Sequence, residues 1–165
     1  MILVAVYLAA IVAANLVIAA FGPSAAIVVA FLFIGLDLTA RDALHDRWHG
    51  RHLVLRMGAL IAAGGAISYL LNAGAGQVAV ASVVAFTLAA TADGLVYAVL
   101  GDRSYLVRVN GSNVVGAAVD SLVFPTIAFG AILPLVVLGQ FAAKVAGGLV
   151  WSVVLNALSV RQGSA

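Results

Sequence analysis

Residues 1–24 read MILVAVYLAAIVAANLVIAAFGPS, and the twenty residues from Ile2 to Phe21 contain no charge. Twenty apolar residues coiled at about 1.5 Å each make a rod of about 30 Å, the thickness of a bilayer's hydrocarbon. Gly22-Pro23-Ser24 then supplies a turn. Outward from this stretch, five further apolar runs follow: 25–40, carrying Asp37 and Thr39 near its end; 53–71, closed by Asn72 to Gly76; 77–100, closed by Gly101-Asp102; 113–138, with Pro125 and Pro134 inside it; and 140–160. The expected fold is an all-α integral membrane protein of six transmembrane helices, a single domain over 1–165 with no linker.

Composition agrees. The chain is 65% hydrophobic and only 8% charged, where a soluble domain carries about 25% charged residues. Neither a water-soluble globule nor a disordered chain has this make-up. A net charge of +2 with no Lys/Arg block excludes a nucleic-acid partner. Without cysteine there is no disulfide, thiolate nucleophile or Cys-ligated metal. Residues 2–21 lack a basic leader, so a cleaved signal peptide is not expected. Arginine orients the spans. Arg41, Arg47, Arg51 and Arg56 fall in the second connection, Arg103 and Arg108 in the fourth, and Arg161 in the tail, while the first, third and fifth connections have no Lys or Arg. By the positive-inside rule both termini are expected in the cytoplasm.

Polar groups inside the spans identify the candidate site. An ionisable side chain at the bilayer centre costs about 2.5–3.5 kcal/mol on insertion scales, so it usually faces the bundle interior and has a task. Asp93 shares a helical face with Phe86, Ala90 and Tyr97, and Asp120, expected at similar depth, shares one with Asn113, Gly116 and Phe124. A third stripe runs through Gln140, Lys144, Gly147/Gly148 and Trp151; Asn15 and Asp37 add two polar positions. Interhelical glue accounts for an isolated Asn or Ser at about 0.6 kcal/mol, and fits Asn15, Ser68 and Asn156. Carboxylates are costlier fasteners. Lys144 reads either as a snorkelling cation or as an ion-pair partner. Two acids, one base and several aromatics suit a small, planar, polar solute: a carboxylate accepts two hydrogen bonds from a guanine-type edge, and aromatic faces stack on the ring. Pro125 and Pro134 are expected to kink or break the fifth helix beside a cavity.

Other patterns carry less. Asp42, His45, His49 and His52 would share one face if their segment were helical, a metal-ligand spacing that reads more simply as a juxtamembrane turn on anionic lipid. Gly74-x-Gly76-x-x-Ala79 follows no strand and is a loop. No Walker pattern, Ser/His/Asp set or HExxH is present, so no catalytic residue and no cofactor is expected and the chain is not read as an enzyme.

Asp37-Leu38-Thr39-Ala40-Arg41, then Ala81-Ser82-Val83-Val84-Ala85-Phe86 leading to Asp93 and Tyr97, then Arg108 through Asn110, Ser112-Asn113, Gly116 and Asp120-Ser121 to Phe124 and Ile127-Ala128-Phe129, and finally Lys144-Val145, stand in an order and spacing that covers nearly the whole chain. They resemble the queuosine-precursor transporter family, also called the vitamin uptake transporter family. The resemblance implies import of a 7-deazaguanine such as 7-cyano-7-deazaguanine across the inner membrane. It also implies a fold similar to the six-helix substrate-binding subunits of energy-coupling-factor transporters. The family's polar positions fall on Asn15, Asp37, Arg41, Asp93, Arg108, Asn110, Ser112, Asn113, Asp120 and Lys144. Many relatives have an acid soon after the second-helix Asp, where this chain has Ala40-Arg41, and many are longer.

Depth and face select Asn15, Asp37, Asp93, Tyr97, Asn113, Asp120, Phe124, Gln140, Lys144 and Trp151 as the expected substrate-binding residues. The expected partners are the small-molecule substrate and membrane lipid; a second copy or an energising partner is left open. Alternatives are uptake of another vitamin-like planar solute, an integral membrane enzyme built on the Asp pair, and a purely structural subunit.

Overall fold

The computed structural model describes residues 2–48 and 52–162. It is built from α1 (Ile2–Phe21), α2 (Ala26–Val29), α3 (Gly35–Arg47), α4 (Leu53–Leu71), α5 (Gly76–Val99), α6 (Tyr105–Phe129) and α7 (Pro134–Gln162), with no strand among the described residues. A 3₁₀ turn, Gly22–Ala25, joins α1 to α2, and a π turn, Ala30–Ile34, joins α2 to α3. Among the described residues, five stretches are long and apolar enough to cross a membrane: Ile2–Arg41, Val54–Leu71, Ala73–Val99, Gly111–Phe129 and Pro134–Trp151.

The first of these is not straight. Gly22 has φ +60°, a left-handed conformation that a residue without Cβ reaches at no steric cost. Pro23 follows it in the turn, and the chain folds back there. Tyr7 and Ile11 of α1 consequently share a core with Ala40 and Leu44 of α3, joined by Met57 and Phe86. A second core holds Ala14, Ile18, Ala26, Val29 and Val78 near the turn. The two clusters mark opposite ends of the bundle.

Side-chain contacts give the register of the rest. Ile11 lies against Gly64 and Asn15 bonds Ser68, so α1 and α4 run parallel. On α5, Gln77 bonds the Ile127 carbonyl at 3.0 Å, Asp93 faces Gly116 and Leu100 faces Gly111, which makes α5 and α6 an antiparallel hairpin. α7 runs parallel to α2 and α3: Ile27 packs on Gly139, and Gly35 meets Gly147. That crossing is made backbone to backbone. A Cβ on Gly35 would stand 2.7 Å from the carbonyl carbon of Gly147, and one on Gly147 would strike the Phe31 carbonyl in the π turn. The end of the bundle at which α3 and α5 finish and α4 begins carries the exposed arginines Arg47, Arg56 and Arg103, with the Arg56 guanidinium 5.5 Å over the Trp48 ring.

Three expectations are corrected. The apolar run 113–138 is not one helix: α6 spans Tyr105–Phe129 and α7 starts at Pro134. Gly130, at φ +71°, closes α6 in the left-handed conformation, and Pro134 sits at a helix start, where its missing N–H is no loss. Of Pro125 and Pro134, only Pro125 lies inside a helix, and α6 continues through it. Asp42, His45 and His52 do not share a helix, because α3 ends at Arg47 and His52 precedes α4. His49 and the side chains of Asp42 and His45 lie outside the described residues. Among the described residues no group of three or more His, Cys, Asp or Glu could hold a metal ion.

Candidate functional site

Asp120 and Asp93 are not at the same depth. With Asp93 level with Gly116 on the facing helix, Asp120 lies one turn, about 6 Å, farther from the arginine-bearing end. Its carboxylate is paired: Lys144 Nζ donates to Asp120 Oδ2 at 2.7 Å, to Ser121 Oγ at 3.0 Å and to Gln140 Oε1 at 3.2 Å. Lys144, Gln140 and Asp120 are 2%, 2% and 6% exposed, so the lysine does not snorkel. An ion pair this deep is a weak source of net stability, because desolvation offsets most of its Coulombic attraction, but losing one partner would strand the other. Asp120 Oδ1 has no hydrogen-bond partner among the described residues, and neither does Asp93 Oδ1.

Two cavities meet at this ion pair. The larger, about 330 Å³, lies between α3, α5, α6 and α7 and is lined by Thr39, Arg41, Asp93, Asn113, Asp120 and Lys144 among apolar neighbours. Its size is within the range of small-molecule sites, which also combine apolar walls with a few polar groups. The smaller, about 20 Å³, has room for about one water. Asn15, Ser82, Phe124 and Gln140 line it, together with Ala14, Ile18, Ala26 and Val29 from the core near the Gly22 turn. Phe86, Asp120 and Lys144 line both.

Seven of the ten expected residues therefore come together: Asp93 and Asn113 on the large cavity, Asn15, Phe124 and Gln140 on the small one, and Asp120 and Lys144 between them. Asp37, Tyr97 and Trp151 are not among the residues lining either cavity. Asp37 is instead buried at 1% exposure, with Tyr7 of α1 in electrostatic reach of both Asp37 and Arg41. Four residues on from Asp37, Arg41 lines the large cavity, though sequence reasoning held it only as a family position. Tyr97 and Trp151 lie one and two turns beyond Asp93 and Lys144 toward the arginine-bearing end, past the cavity's lining. Phe86, Ser82 and Ser121 were missed as site residues, although all three stand in the runs that carry the family resemblance and periodicity puts Phe86 on the face of Asp93. The side chains of Arg108 and Asn110 lie outside the described residues.

Asn15 also joins three helices. Its Nδ2 donates to Ser68 Oγ on α4 at 3.1 Å, and its Oδ1 accepts from Ser82 Oγ on α5 at 2.5 Å; Ser68 Oγ in turn donates to the Gly64 carbonyl at 2.7 Å. We expect Asn15→Ala to lower thermal stability in detergent by about 1–2 kcal/mol, since the buried Ser82 hydroxyl loses its acceptor and Ser68 Oγ loses one of its two hydrogen bonds. Solute binding in the large cavity should persist. A melting curve with and without solute separates the two effects.

No curated protein and no solved structure matches the chain. A family model does, over residues 3–160, and its description is that of a vitamin uptake transporter. With charged and polar side chains gathered on a cavity between membrane-length helices, and with the match covering nearly the whole sequence, the chain belongs to the vitamin uptake transporter family.

Proposed function

We propose that the protein imports a queuosine precursor, a 7-deazaguanine such as 7-cyano-7-deazaguanine, across the inner membrane. One observation carries this reading: Asp93 and Asp120, each with a buried Oδ1 that has no hydrogen-bond partner among the described residues, line the same cavity of about 330 Å³. A buried acceptor left unpaired costs roughly 1–3 kcal/mol, so a solute that brings N–H donors gains by filling it. A guanine-type edge presents a ring N–H beside an exocyclic amine, two donors in line for one carboxylate. Asn113 and Arg41 are placed to take the ring's acceptors, and Phe86 offers an aromatic face.

The same reading includes the membrane arrangement. The fold-back at Gly22 divides residues 2–41 into two crossings, giving six in all, similar to the substrate-binding subunits of energy-coupling-factor transporters. The arginine-bearing end faces the cytoplasm, and with it both termini. The large cavity, which reaches Arg41 and Asp93, then lies on the cytoplasmic side of the ion pair.

The test is uptake in a host that cannot make 7-deazaguanines and needs them for tRNA modification. Expression should restore queuosine in tRNA at low external 7-cyano-7-deazaguanine. If no queuosine forms while the protein is present in the membrane, this cargo is rejected and another vitamin-like planar solute takes its place.

A further inference from the structure

Phe86, Asp120 and Lys144 come from three different helices, α5, α6 and α7, and they are the residues that the two cavities share. On the arginine-bearing side is a space fit for a small molecule, and on the other a remnant of about 20 Å³, lined in part by the same kinds of polar group. From this division we infer that the three side chains are a gate: a closed partition between two halves of one permeation path, latched by the Asp120–Lys144 ion pair and plugged by the Phe86 ring. The inference rests on the transport reading and goes beyond it, since it assigns the closed barrier and the residues that hold it.

Three features suit a latch. Lys144 keeps Ser121 Oγ and Gln140 Oε1 as acceptors at 3.0 and 3.2 Å, so the ammonium still has hydrogen-bond partners when Asp120 is released. A two-donor solute edge needs both oxygens of Asp120, and one of them is taken by the lysine. Solute binding and the latched pair therefore compete for one oxygen, and a ligand shifts an equilibrium only through such a difference between states. Pro125 stands in the same turn of α6: the carbonyl four residues before it belongs to Ser121, beside Asp120, and has no N–H from that position. The helix is thus loosened where the latch must move.

The absence of cysteine makes the gate directly measurable. Single cysteines are introduced at Ala117, on the large cavity, and at Ser82, on the small one. Inside-out vesicles are then treated with a charged methanethiosulfonate, with no solute added. If the open form is a minor state of at most about 10%, Ser82→Cys should label at least about ten-fold more slowly than Ala117→Cys. Adding Lys144→Met should remove most of that difference by speeding Ser82→Cys alone. Phe86→Ala, which leaves the ion pair in place, serves the same purpose if Lys144→Met does not reach the membrane. Equal rates at the two positions in the otherwise unaltered protein would overturn the gate, as would a Ser82→Cys rate that neither variant raises. Because the labelling uses no solute, gated labelling together with failed 7-deazaguanine uptake would reject the cargo and leave the gate standing.

Discussion

Asp120→Asn should reduce solute uptake by about 100-fold or more, the loss expected when one partner of a buried, hydrogen-bonded charge pair is removed. The protein should still reach the membrane at normal levels. The two halves of this expectation come from different neighbours. Toward the solute, the amide replaces one acceptor oxygen by an NH₂ that points donors at donors, and the charge assistance disappears. Toward the protein, Lys144 retains Ser121 Oγ and Gln140 Oε1, so the buried ammonium keeps acceptors and the α6–α7 contact survives. The measurement is uptake per molecule of protein in the membrane, with the amount read by immunoblot. Wild-type uptake by the variant would remove Asp120 from the site.

A second large effect is expected at the helix crossing beside the cavity. Gly147→Leu should abolish the folded, detergent-stable protein, and Gly147→Ala should destabilise it by about 1–3 kcal/mol, the range for overpacking. The neighbours at this point are backbone: the Phe31 carbonyl meets any Cβ on Gly147, and Gly35 approaches the same residue from the facing helix. No rotamer change relieves such a contact, so α7 must move away from α3. Lys144 lies one turn earlier on α7 and would shift with it. The neighbouring Gly148 is the control. A Cβ there meets nothing within 4 Å, so Gly148→Ala should melt close to the unaltered protein. Equal destabilisation at the two glycines would mean that the backbone crossing does not set the cost, since helix propensity favours alanine at both positions.

The bilayer explains why so much of the fold was legible. A spanning segment must satisfy its backbone internally and present apolar side chains over about 30 Å, and α1, α4 and α5 follow apolar runs visible by eye. The same rule hid the junction between α6 and α7. Ile132 and Leu133 are as apolar as the helices they separate, so hydropathy passes over them. Gly130 and Pro134 did mark the break, as the left-handed close of one helix and the first residue of the next. The site divides in a similar way. Asp93, Asp120 and Lys144 stood out because charge is costly in hydrocarbon. Ser82 and Ser121 did not, because a serine costs little wherever it falls. Asp37 and Arg41 stand four apart on one face of α3, and which of them borders the cavity depends on how α3 seats against α7, where Gly35 meets Gly147, a contact between residues 112 positions apart.

The distribution of charge along the hairpin has a consequence for how the protein is made. Chains are synthesised from the N-terminus, and α5 and α6, which pack as one antiparallel hairpin, carry both Asp93 and Asp120. Lys144 follows on α7. During biogenesis the acidic hairpin therefore enters the bilayer before its cation exists, bearing an insertion cost of about 2.5–3.5 kcal/mol for a central carboxylate. A chain interrupted before α7 holds Asp120 without Lys144, and docking of α7 completes the ion pair. Docking of α7, assembly of the site and release from an intermediate open to membrane quality control thus fall on one step.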